Sequence, residues 1–148
     1  MADLTQLYRQ VIMDHYKNPH NKGLTHDPSY TFLHLNNPSC GDDMNVEVKV
    51  VDGKVVDIKH DGKGCSICCS SASVMSETLV GKSVNAALDL CTSFYLMIEG
   101  KEISDEESEN LGEAIAYTGV SQFPARVKCA TLSWKACERI LRGQEDAK

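Results

Sequence analysis

The stretch Met44-Asn45-Val46-Glu47-Val48-Lys49-Val50-Val51-Asp52-Gly53-Lys54-Val55-Val56-Asp57-Ile58-Lys59-His60 decides the fold. Met44, Val46, Val48 and Val50 alternate with Asn45, Glu47 and Lys49. That two-residue period marks a strand with one face buried. Asp52-Gly53 is a hairpin signal, because the tight turn wants positive φ at both central positions. Lys54 to His60 returns as the partner strand, with Val56 and Ile58 central. Upstream, Tyr30 to Asn36 reads as a further strand. The three together predict a small antiparallel sheet.

Outside these strands the pattern is helical. Asp3 to Lys17 carries Leu4, Leu7, Tyr8, Val11, Ile12 and His15 at helical spacing. Asn18 to Gly23 ends that helix in a loop. Asp61-Gly62-Lys63-Gly64 is expected to end the sheet. Ser66 to Leu79, rich in small residues and followed by Gly81, predicts a tightly packed helix. Ser83 is the expected N-cap of a helix reaching Ile98, with Val84, Ala87, Leu88, Cys91, Tyr95 and Ile98 as its apolar stripe. A short helix is expected over Leu111 to Tyr117. The last is expected from about Lys128 to Leu141, with Leu132, Ala136 and Ile140 facing inward and Gly143 as its stop. Strands grouped ahead of helices predict an α+β fold, its helices laid on one face of a three-stranded antiparallel sheet. A length of 148 residues suits a single domain across 1–148.

Composition narrows the function. No apolar run approaches the roughly 18 residues that a membrane span needs. The opening Met1-Ala2-Asp3-Leu4-Thr5 lacks the basic start and apolar block of a secretory signal, so the expected location is the cytoplasm. Net charge is −6, and no Lys/Arg cluster offers a surface for nucleic acid. Glu102 to Glu113 holds six acidic residues and no basic one, as a solvated loop or helix face would. Seven cysteines, an odd count, argue against a disulfide framework and towards metal or thiol chemistry.

Four residues are candidates for that chemistry. In Asn37-Pro38-Ser39-Cys40-Gly41-Asp42-Asp43, Pro38 stops regular structure and Gly41 lets the backbone turn. Cys40 and Asp42 can then face one point from a loop. Cys65 falls where the third strand gives way to a helix, and Cys129 near the start of the last helix. Helix starts stabilise thiolates through free N–H groups and the macrodipole. Three thiolates and a carboxylate suit tetrahedral zinc. Spacing alone leaves rivals open. Cys65-Ser66-Ile67-Cys68 is a CxxC, fit for a zinc knuckle or a redox dithiol. The knuckle lacks a second pair, and the dithiol lacks alternating strands and helices. Cys68, Cys69, Cys91 and Cys137 read as packed small residues. The five histidines show no i, i+4 pairing and read as structural or exposed.

Four segments resemble a known family: Leu7-Tyr8-Arg9-Gln10-Val11-Ile12-Met13-Asp14-His15-Tyr16-Lys17-Asn18-Pro19; Asn37 to Asp42; Gly64-Cys65-Ser66-Ile67; and Phe123-Pro124-Ala125-Arg126-Val127-Lys128-Cys129-Ala130-Thr131-Leu132-Ser133-Trp134. The chain is identified as a SufU-type member of the IscU-like family of iron-sulfur cluster assembly proteins. The resemblance implies that Cys40, Asp42, Cys65 and Cys129 are the metal ligands, which decides against Cys68. Lys128 stands where the IscU branch has histidine, and the acidic stretch belongs to an extra segment. The prolines that the IscU branch presents to its chaperone are not reproduced around Pro124. The implied activity is zinc-dependent sulfur transfer, in which a pyridoxal-phosphate cysteine desulfurase of the SufS type passes persulfide sulfur to Cys40. A downstream iron-sulfur scaffold or thiol acceptor would take it onward. The alternative is a scaffold that builds a transient 2Fe-2S cluster on the same ligands. Arg126 would neutralise the anionic site, contact the partner or form a surface ion pair.

Overall fold

The computed structural model of the chain describes residues 4–38 and 41–146. Its elements are α1 (Leu4–Lys17), β1 (Thr31–Asn37), β2 (Asp42–Val51), β3 (Lys54–Lys63), α2 (Ser66–Leu79), α3 (Val84–Ile98), α4 (Asp105–Leu111), a 3-10 helix (Gly112–Gln122) and α5 (Pro124–Asp146). The strands form one antiparallel sheet in the order β1-β2-β3. Helices α2, α3 and α5 touch the sheet, while α1 packs on α2 and the 3-10 helix. This is the α+β architecture the strand and helix periods predict. Among the described residues no helix is long and apolar enough to cross a membrane.

The hairpin forms at Asp52 and Gly53, with φ of 53° and 75°, as its sequence demands. Met44, Val46 and Val48 of β2 are buried, opposite Gly62, His60 and Ile58 of β3. Two details of β3 differ from expectation. Val50 pairs with Val55, and Lys49 with Asp57, so Val56 is bulged out of register and 43% exposed. The bulge hands the inward position to Val55, which is why Val56 and Ile58 do not share the core face. The strand also runs through Gly62 to Lys63 instead of ending at His60. A Cβ at Gly62 would sit 2.1 Å from the Asp43 carbonyl oxygen. There the glycine permits close pairing and does not break it.

Glu47 departs from the alternation too. It lies on the outer face, yet it is buried. Its carboxylate accepts the backbone N–H of Thr25 at 2.7 Å, the Thr25 hydroxyl at 3.0 Å and the N–H of His26 at 3.0 Å. The connection before β1 thus straps itself across the sheet, with hydrogen bonds meeting the need of a buried acid. The same connection covers part of the outer margin of β3: Gly23 N–H donates to His60 O, and His60 N–H to Asn21 O. Further along, Val55 N–H donates to Lys82 O, and Gly81 N–H to Val55 O.

Small residues let α2 sit at the centre. Ser70, Ser71, Ala72 and Ser73 are all fully buried. The Ser71 hydroxyl donates to Ala130 O at 2.6 Å and accepts the Trp134 indole N–H at 3.0 Å. The Tyr117 hydroxyl donates to Ser70 Oγ at 2.7 Å. Trp134 stacks on Phe94 with ring centroids 4.0 Å apart. At α3, Ser83 caps as expected, its hydroxyl accepting from Ala86 N–H. The acidic segment forms α4 behind a capping box of Ser104 and Glu107. The last helix starts earlier and ends later than predicted. Phe123 O accepts from Arg126 and Val127 N–H, which leaves Pro124 in the first helical position, where its missing N–H costs nothing. Gly143 lies within the helix, not beyond it.

Candidate metal centre

Three elements bring Asp42, Cys65 and Cys129 together. Asp42 is not in a loop, as expected, but is the first residue of β2, paired with Asn37. The turn before it uses Gly41 at φ 73°, whose N–H donates to Asn37 O at 2.9 Å. Cys65 is the N-cap residue of α2. Cys129 is the sixth residue of α5. It therefore lies past the free N–H groups of the first turn, and the helix-start argument does not apply to it. One ligand atom from each of the three residues lies within 4.8 Å of the other two. Cys129 and Asp42 are buried and Cys65 is half-buried. Cys40, together with Ser39, lies outside the described residues.

The Asp42 carboxylate is fixed on one side only. Its Oδ1 accepts the Cys65 backbone N–H at 3.0 Å. Its Oδ2 is buried with no hydrogen-bond partner among the described residues. An orphaned buried oxygen is costly. A cation between it and the two sulfurs would satisfy it, so this donor set fits a thiolate-seeking divalent ion such as zinc. Gly64 completes the cradle, since a Cβ there would fall 2.5 Å from Asp42 Oδ1. Sequence periodicity does not mark Gly64 as a site residue; its signals are its place directly before a candidate ligand and in the family-like segment Gly64-Cys65-Ser66-Ile67.

Charge around the centre is balanced from one side. The exposed Arg126 guanidinium lies beside the sulfurs of Cys129 and Cys65. These contacts hold its pKa above the ordinary arginine value. Lys128 is exposed. Cys69 stands one turn beyond Cys65, its thiol 3.7 Å from Gly64 O. Burial, then the charge of Cys65, pushes its pKa up. Cys68 is fully buried. Burial lifts the Cys91 thiol to about 12 and the Cys137 thiol well above its usual value, as for core residues.

A small α+β fold that gathers two cysteines and a carboxylate at one point is the arrangement of a class of proteins able to bind a metal. The chain belongs to the NifU-like N terminal domain family, whose model matches residues 7–130. It is 50% identical over 145 residues to the zinc-dependent sulfurtransferase SufU of Bacillus subtilis (strain 168), covering 97% of this chain and 95% of that protein. It is 37% identical over 147 residues to the iron-sulfur cluster assembly scaffold protein IscU of Streptococcus pyogenes serotype M1, covering 99% and 90%. The crystal structure of FiSufU from Fervidobacterium islandicum AW-1, a candidate iron-sulfur cluster assembly scaffold protein for the SUF system, superposes with a TM-score of 0.77 at 33% identity, covering 92% and 97%.

Proposed function

We propose that the chain is a zinc-dependent sulfurtransferase of iron-sulfur cluster assembly, acting as one domain in the cytoplasm. Cys40 would be the sulfur-accepting residue. Cys40, Asp42, Cys65 and Cys129 would be the ligands. The observation that carries this reading is the convergence of Asp42, Cys65 and Cys129 beside an Asp42 oxygen that has no hydrogen-bond partner among the described residues. Half-identity to the Bacillus subtilis sulfurtransferase supports it.

Zinc, when bound, supplies charge that keeps the cysteines deprotonated. The donor would be a persulfide on a pyridoxal-phosphate cysteine desulfurase of the SufS type. The Cys40 thiolate attacks the outer sulfur of that persulfide. A new S–S bond forms on Cys40, the desulfurase S–S bond breaks, and the electron pair leaves on the desulfurase cysteine. The exchange needs no external oxidant. Asp42, held by the Cys65 N–H, orients the site, and Arg126 offsets its negative charge. A downstream scaffold or thiol then takes the sulfur by the same exchange.

Cys40→Ala is expected to keep its circular dichroism spectrum but accept no radiolabelled sulfur from a loaded desulfurase. Acceptance at the wild-type rate overturns the proposal. Similarity to the Streptococcus pyogenes scaffold favours a second reading, a transient 2Fe-2S cluster on the same ligands. Protein purified without oxygen separates the two. Zinc without an iron chromophore supports transfer, and a labile visible chromophore supports the scaffold.

A further inference from the structure

A second group of ligand-type side chains lies at the other end of α2. His15 is in the last turn of α1, and His20 is in the connection after it. Glu77 is near the end of α2, and Glu113 is in the 3-10 helix. One ligand atom each from His15, Glu77 and Glu113 lies within 4.8 Å of the other two. The His15 and His20 rings are 4.8 Å apart at their centroids. His20 Nδ1 is in direct contact with Glu77 Oε1, and His15 Nε2 is 3.3 Å from Glu113 Oε1. Among the described residues neither carboxylate pairs with a lysine or an arginine.

The surroundings prepare one imidazole for coordination. The His15 side chain is 4% exposed, and its Nδ1 is 2.7 Å from Ser73 Oγ. Ser73 Oγ also accepts the His20 backbone N–H at 2.7 Å, so one hydroxyl ties both histidine-bearing segments to α2. In the tautomer that metal binding would select, Nδ1–H donates to Ser73 and the Nε2 lone pair of His15 is free for the ion beside Glu113. That arrangement, a ligand imidazole whose other nitrogen is anchored by an oxygen, is typical of built metal sites. Glu77 and Glu113 are 38% and 55% exposed, so solvent reaches the cluster.

We propose that His15, Glu77 and Glu113, with His20 beside Glu77, form a second metal site, which takes a first-row divalent ion through imidazole nitrogen and carboxylate oxygen. The converging donor set excludes sulfur and joins the His15 imidazole to two carboxylates, and a nitrogen donor suits Zn2+, Fe2+ or Co2+ better than Mg2+ or Ca2+. Glu77 follows Cys65 by twelve residues along α2. At 1.5 Å per residue the two sites are roughly 18 Å apart and bind independently. A bound ion would join α1, α2 and the 3-10 helix at one point.

The test uses the full chain without an affinity tag. Zn2+ binding is followed by equilibrium dialysis, and Co2+ binding by absorption. Wild type is expected to take a second zinc equivalent after its cysteine centre is filled. A Cys65→Ser/Cys129→Ser variant is expected to keep a Co2+ site with weak visible bands and no sulfur charge-transfer band. Glu77→Gln/Glu113→Gln alters two exposed side chains and should leave the fold and the cysteine centre intact. Loss of even an outer-shell partner weakens a metal site about 10–100-fold, so removing two ligands predicts a second equivalent at least ~100-fold weaker. His15→Gln is expected to lose it as well. The proposal is overturned if wild type takes up no second equivalent at millimolar metal, or if the double glutamate variant binds it as tightly as wild type. Neither result bears on whether Cys40 accepts sulfur.

Discussion

Asp42 has one oxygen held by the Cys65 N–H and the other buried without a donor among the described residues. A side chain so placed is sensitive to its nearest wall, and that wall is Gly64. In Gly64→Ala the new methyl would meet Asp42 Oδ1 at 2.5 Å and Cγ at 3.1 Å. The carboxylate must swing away. Expected are zinc affinity reduced about tenfold or more, as for other losses of ligand orientation, and slower sulfur acceptance. Competition with a chelator would measure the first, and the melting temperature should move little because Gly64 is exposed. At this scale the sequence was informative about residue types. Soft and hard ligands around a turn, and a cysteine at a helix start, were visible in Asp42 and Cys65. The helix start expected near Cys129 lies at Pro124 instead, so only the family resemblance favours Cys129 over Cys68. The cluster of His15, Glu77 and Glu113 was invisible, because its members come from separate segments with no shared spacing.

Among the elements, α2 is the one whose composition and packing explain each other. Its serines give close approach, and their hydroxyls meet partners on α5 and the 3-10 helix. Ser71→Ala removes the acceptor of the buried Trp134 N–H. Leaving such a donor unsatisfied costs about 1–3 kcal/mol, and urea unfolding should show the midpoint fall accordingly with the slope unchanged. The exact bounds of α2 and the cap of α3 were legible because Cys65, Ser83 and the small-residue run are local signals. The bulge at Val56 and the continuation through Gly62 were not. Both depend on what β2 places opposite, and a glycine that avoids the Asp43 carbonyl looks in sequence like one that ends a strand. Glu47 read as a solvent-facing residue because nothing nearby in sequence announces the strap of Thr25 and His26.

For the molecule as a whole, His60 links the sheet to the segment after α1. Its Nε2 donates to His20 O at 2.8 Å. Burial is the main cause holding its pKa below the ordinary 6.5, against the His20 carbonyl, which raises it. The unfolded chain takes up this proton at about 6.5, the folded chain only at lower pH. Stability from this group is therefore full above about 6.5 and is lost as pH falls from there through the folded value. Urea midpoints at neutral and mildly acidic pH should fall more steeply in wild type than in His60→Gln; equal slopes would remove His60 as the cause. The chain also contains a single tryptophan, Trp134, stacked on Phe94 five residues beyond Cys129 on α5. Fluorescence excited beyond the tyrosine band thus comes from one indole, sealed in the interior on the helix that carries Cys129. Its emission is a built-in optical gauge of how loading at one end of α5 is felt in the middle of the protein.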